Sequence, residues 1–104
     1  MHRQTKRTMI PAAVKDRVFE RDHGRCVMCG RVCGRWDASA HFVARAQGGL
    51  GIEQNILTLC SDCHHRYDQT AERHQIREIL RDYLAEIYPE WDEQKLIYKK
   101  GQET

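Results

Sequence analysis

"CSDCHHRYD", residues 60–68, places two cysteines and two histidines within one short stretch. Either all four bind a single metal ion, or two different sites meet here. A second cysteine pair upstream bears on the choice. Cys26 and Cys29 stand in C-V-M-C, as Cys60 and Cys63 stand in C-S-D-C. A two-residue spacer lets both thiolates face one ion from a tight turn, and two such turns complete a tetrahedron. An all-sulfur zinc site has no open position, so it is structural and its binding energy is folding energy. The competing use of these cysteines is disulfide pairing, which a reducing compartment disfavours. Cys33 is left over, as a spare thiol or as a competitor of Cys29, and the spare is the simpler choice.

With four thiolates on zinc, His64 and His65 are available for other work. Adjacent helical residues diverge by about 100°, so His64 leaves the face that carries Cys63. Asp68 follows His64 by four and shares its face, which is geometry for two ligands of a second, harder cation. His41 on an upstream strand and Asn55 before the next one complete the polar candidates, and His65 has no assigned role.

The 104 residues and five cysteines suit one small domain stapled by metal. No apolar leader and no membrane-spanning run stands in the sequence, so the expected location is cytoplasmic and no membrane partner is expected. The net charge of +2 is unevenly spread. Residues 1–35 hold nine of the basic side chains against Asp16, Glu20 and Asp22, and the remainder is net acidic. A basic N-terminal third suits a polyanion such as nucleic acid; a solvated surface explains the same charges.

Residues 1–9 read as a mobile basic arm, and residues 10–104 as one domain with its core at 24–70 and a C-terminal helix and tail at 71–104. "PAAVKDRVFERD" (11–22) predicts a short helix with Pro11 in its first turn. "HGRCVMCGRVCGR" (23–35) predicts a turn-dense knuckle. "WDASAHFVA" (36–44) and "NILTLC" (55–60) predict strands around the "AQGGLG" loop. A helix then starts at 61, with Ser61 or Asp62 as N-cap. In "AERHQIREILRDYLAEIY" (71–88), Ile76, Ile79, Leu80, Tyr83, Leu84 and Ile87 form one apolar stripe. Pro89 ends that helix, and the tail's Trp91, Leu96, Ile97 and Tyr98 are placed to pack back. The class is α+β.

"AHFVARAQGGLGIEQNILTLCSDCHHRYD" (40–68) resembles the HNH endonuclease motif, through a histidine ending a strand, a Gly-Gly loop (Gly48, Gly49), an asparagine, and a histidine directly after C-x-x-C. With the first cysteine pair, the resemblance covers about residues 10–70; the long helix and tail are similar to those of small bacterial and phage HNH proteins. It implies a ββα-metal fold stapled by the four-cysteine zinc knuckle, with flanking N-terminal and long C-terminal helices. It also implies a DNA endonuclease working in a bacterial cell or phage-infected host. His41 would be the general base. His64 would hold a catalytic Mg²⁺ or Mn²⁺ at the scissile phosphate. Asn55 would fix the loop that poses His41, and Arg45 would meet phosphate charge. Arg3, Lys6 and Arg7 of the arm would track the DNA backbone.

The resemblance departs at Ala40, where many HNH members carry a metal-ligating Asp or His. The ion then depends on His64 with Asp68, Asp37 or water, and helical spacing favours Asp68. Two other functions compete: a non-catalytic zinc-stapled nucleic-acid-binding module, with Ala40 in its favour, and a protein-interaction zinc domain working through the amphipathic helix. No separate base-reading element stands in the chain, so weak sequence preference and nicking are expected. A double-strand cut would need a homodimer or a phage packaging partner.

Overall fold

The computed structural model describes residues 3–99, with side chains from residue 6 onward. The elements run α1 (Arg3–Thr8), α2 (Ala12–Arg21), β1 (Ala40–His41), β2 (Ile56–Leu57), α3 (Ser61–Gln69) and α4 (Arg73–Ile87), joined by short 3₁₀ turns. The class is α+β, built around one two-stranded antiparallel sheet that pairs Ala40 with Leu57 and His41 with Ile56. No helix among the described residues is long and apolar enough to cross a membrane.

α2 forms because Val14 and Val18 recur four apart; both are buried, with Ala38 and Ile56 against them. The strands are much shorter than the sequence suggests. Of the residues expected in strands, Trp36 and Asp37 lie in a 3₁₀ turn (Arg35–Asp37) and Asn55 ends another (Glu53–Asn55), while a third turn, Arg45–Gln47, follows the first segment. Tertiary hydrogen bonds outweigh strand propensity here. The amide of Leu59 donates to the carbonyl of Asp37 at 3.1 Å, and the amide of Val27 donates to Thr58 at 2.9 Å. These bonds join the second strand's continuation to the turn before β1 on one side and to the knuckle on the other. Between the strands the chain folds back so tightly that a Cβ on Gly49 would lie 1.7 Å from the Val43 carbonyl oxygen, so no larger residue fits.

The α4 stripe is narrower than its spacing implies. Ile76, Leu80 and Leu84 are buried, whereas Ile79 and Ile87 are exposed. α4 therefore presents mainly its i, i+4 row to the core. The tail does pack back: Leu96 is buried, and Trp91 meets Phe42 edge-on at 5.4 Å between ring centroids. The N-terminal arm is helical rather than a free tether. Its Thr8 is buried, and the amide of Gly51 donates to the carbonyl of Arg7.

A polar knot joins α2 to β2 and α4. Asp22, whose side chain is fully buried, accepts from Arg21 (2.9 and 3.1 Å), from the Thr58 amide (2.9 Å) and from the Tyr83 hydroxyl (2.6 Å). Arg21 also donates to the carbonyls of Glu53 and Ile56, both at 2.8 Å, and to the Tyr88 hydroxyl. Burial works against the Arg21 charge, but the carboxylate outweighs it and holds the guanidinium more firmly protonated than usual. Removing one partner of such a pair strands the other charge. Arg21→Ala should therefore cost about 3–5 kcal/mol in chemical denaturation of the metal-loaded protein, whereas a loss below about 1 kcal/mol would mark the pair as an ordinary surface contact.

Candidate metal centres and the histidine site

The first centre is the cysteine cluster. The sulfurs of Cys26, Cys29, Cys60 and Cys63 all lie within 4.8 Å of one another, and none is in a disulfide. A tetrahedron with Zn–S bonds of about 2.3 Å has edges of about 3.8 Å, and the Cys29–Cys60 sulfur separation is 3.7 Å. The donor set therefore fits a zinc ion. Local folding makes the fit. The amide of Cys29 points at the sulfur of Cys26, and the amide of Cys63 at that of Cys60, each at 3.5 Å. Cys60 itself, rather than Ser61 or Asp62, is thus the N-cap of α3.

Burial opposes ionisation of Cys26, but backbone donors from Cys60, Cys29 and Met28 prevail and bring its thiol down to about 7. Burial and the neighbouring thiols push Cys63 the other way, above the usual thiol range. Four close thiols resist becoming four thiolates by themselves, and a dication removes that conflict. Cys33 stands outside the cluster, its sulfur 3.4 Å from the Arg31 carbonyl, and burial pushes its thiol up to about 11. It is the spare.

The second group gathers where β1 meets α3. His41 is part-buried, and its Nε2 lies 2.9 Å from the carbonyl oxygen of Thr8. A carbonyl only accepts, so Nε2 carries the proton and the neutral ring keeps its lone pair on Nδ1. Burial lowers the His41 pKa below the usual histidine range; the carbonyl of Thr8 opposes this, and Arg45, Asp68 and His64 are all close enough to act on its charge. These residues share one neighbourhood.

His64 and Asp68 meet directly, Nε2 to Oδ2 at 3.0 Å. That is a direct hydrogen-bonding distance, and it holds the two side chains together on one face of α3. Among the described residues no third His, Cys, Asp or Glu joins them to form a metal-binding group. Asp37 does not group with them, and its carboxylate accepts from the amide of Gly34 at 2.9 Å.

Asn55 is fully buried and clamps the loop after His41. Its Oδ1 accepts from the Val43 amide at 2.8 Å, and its Nδ2 donates to the carbonyls of Val43 (3.2 Å) and Leu50 (2.9 Å). Tyr67, also buried, donates from α3 to the Phe42 carbonyl at 2.7 Å. Arg45 is exposed, with Nε 3.4 Å from the Thr8 hydroxyl. Lys6 and Arg7 are exposed on α1, and the side chain of Arg3 lies outside the described residues. Of the nine basic residues in 1–35, Arg17, Arg21, Arg31 and Arg35 are ion-paired, to Glu53, Asp22, Asp62 and Asp16. The basic third is thus less positive than its composition suggests. Two contributors have no sequence signature: the Thr8 carbonyl, a backbone atom, and Tyr67, which reads as one more core aromatic.

The purified chain should carry one zinc per molecule by elemental analysis. Cys60→Ser should lose it together with the cooperative unfolding transition, and a chelator should unfold the parent protein; retained zinc in Cys60→Ser would contradict the four-thiolate site. No protein-family model, curated protein or solved structure matches this chain, so the geometry of its two centres carries the functional reading.

Proposed function

We propose that the chain is a metal-dependent HNH DNA endonuclease of ββα-metal architecture, in which a structural zinc fixes the start of the helix that bears the working histidine. The observation that carries this reading is the neighbourhood of His41: a neutral imidazole anchored through Nε2, with Arg45, His64 and Asp68 acting on it. An imidazole fixed through Nε2, within electrostatic reach of Arg45 and of an i, i+4 His–Asp pair, is suited to act as a positioned base.

The chain's own residues divide the chemistry. His41 takes a proton from water at Nδ1 as the water attacks a phosphodiester phosphorus, and the Thr8 carbonyl steadies the resulting imidazolium. Asn55 and Tyr67 hold the Phe42–Val43 peptide that follows His41, so that His41 keeps its pose. Arg45 meets the phosphate charge. A divalent ion such as Mg²⁺ or Mn²⁺, held by His64 and Asp68, would supply Lewis-acid stabilisation of the leaving oxygen. Lys6 and Arg7 on α1 add salt-dependent attraction to the DNA backbone.

A second reading has an observation of its own. Ala40 offers no ligand, and His64 and Asp68 have no third partner among the described residues; Arg73 also stands 4.0 Å from Asp68. These features suit a zinc-stapled module that binds DNA without cutting it. Plasmid nicking separates the two. The zinc-loaded protein should nick supercoiled plasmid when Mg²⁺, Mn²⁺ or Ni²⁺ is added, and His41→Ala should lose about 10²–10⁴-fold in rate. Plasmid binding without nicking under any ion would favour the module.

The pH profile follows from the direction of the His41 shift. Burial favours the neutral ring, so the base stays competent to lower pH than an ordinary histidine. Nicking should be level between pH 7 and 8 and fall on the acid side, with a midpoint below about 6.5. A midpoint above that value would mean that His41 is not the titrating base.

A further inference from the structure

We infer that Trp36 is a stacking platform for an unpaired nucleobase, which makes single-stranded or locally opened nucleic acid the preferred ligand. The inference takes from the proposed function only that the ligand is a nucleic acid.

Trp36 is 75% exposed, the most exposed of the large hydrophobic side chains. An indole left in water is unusual for a chain with so small a core to fill. The ring is nevertheless not loose. A Cβ on Gly34 would lie 2.3–2.5 Å from the ring atoms Cζ2, Cε2 and Cη2, so the indole occupies the space that any other residue at 34 would need. Gly34 has φ −97° and ψ 167°, a conformation open to every residue, so backbone strain does not call for glycine there. What glycine permits is the seating of the ring. One part of the indole rests on backbone while most of its surface faces solvent.

The turn beneath is also fixed. The Gly34 amide donates to the Asp37 carboxylate, the Ser39 hydroxyl to the Trp36 carbonyl, and the Leu59 amide to the Asp37 carbonyl. An oriented aromatic on a braced turn loses little entropy when it stacks.

The surroundings select the partner. Trp36, Ile10, Ala12, Lys15 and Arg35 line a shallow cleft of about 360 Å³ between the start of α2 and the turn. Its apolar residues suit the face of a base and its two cations suit the adjoining phosphates. No carboxylate lines it. Lys15 has no ion-pair partner among the described residues, and Arg35 pairs with Asp16 only at the surface, where a phosphate can compete. Aromatic faces with flanking cations bind single strands with little regard to sequence, because every base has a π-face. Trp36 and His41 are five residues apart, so their Cα atoms are separated by no more than about 18 Å, roughly five nucleotide steps of B-form strand.

The test is the affinity of the zinc-loaded protein for a fluorescein-labelled oligo-dT single strand and for a duplex, read by anisotropy. The parent should prefer the single strand. Trp36→Ala should weaken that binding by about tenfold or more with little change for duplex, and Trp36→Tyr should restore most of it. Gly34→Ala keeps the indole but removes its seat, and should weaken single-strand binding too. Unchanged affinity in Trp36→Ala, or no single-strand binding by the folded parent, would overturn the platform; in the latter case a protein partner becomes the better use of the exposed indole. The two proposals fail separately. His41-dependent nicking that ignores Trp36 would leave the nuclease standing without the platform, whereas Trp36-dependent single-strand binding without nicking would do the reverse.

Discussion

The constraint on which the rest of this structure depends is the meeting of four thiols that the chain draws from two distant turns. Cys26 and Cys29 belong to the knuckle after α2, while Cys60 and Cys63 open α3. Structural zinc sites supply about 10–16 kcal/mol of binding energy, comparable to the whole net stability of a small domain, about 5–15 kcal/mol. The ion would therefore decide whether α3 has a fixed start. Because Cys60 caps α3 and His64 donates its amide to the Cys60 carbonyl at 2.8 Å, the direction of His64 follows from the cluster. A thiol of the cysteine cluster and the His64–Asp68 pair are thus one residue apart, and only the turn of the helix separates their directions.

Around that junction, buried polar groups do the positioning that a small apolar core leaves undone. Asn55 satisfies backbone groups of Val43 and Leu50, and the Arg21–Asp22–Tyr83 knot ties α2 and α4 to the backbone of β2. Each group is costly if left unpaired, so the loops they hold have few alternative conformations. His41 inherits this rigidity. It sits on a two-residue strand, yet the backbone that follows it is held by Asn55 and Tyr67, and its own ring by Thr8.

Much of this was legible in the sequence, for identifiable reasons. The cysteine spacing is a geometric signature, and α2 and α4 announce themselves through residues four apart. Asn55 is bonded to the backbone of the loop that follows His41. Other features had no local signal. The strands shrink to two residues because Thr58 and Leu59 after β2 bond Val27 of the knuckle and Asp37 of a 3₁₀ turn, a long-range outcome invisible to periodicity. The arm reads as solvated from its charges, but the Thr8 and Arg7 carbonyls dock it, and a backbone carbonyl is the same for every residue type. Ile79 and Ile87 belong to the apolar stripe by spacing and still face outward, since the core below α4 is filled by Ile76, Leu80 and Leu84. In the basic third, a count of charges cannot see that four of its arginines are paired.

The division of labour within residues 60–68 is the central claim, and the coordination shell of the zinc tests it most directly. X-ray absorption at the zinc edge of the purified, one-zinc protein should give four sulfur neighbours at about 2.3 Å and no nitrogen. That result would leave His64 to the site it shares with Asp68 and His41. A shell with an imidazole nitrogen at about 2.0 Å and fewer than four sulfurs would place a histidine on the zinc, and the two centres would collapse into one.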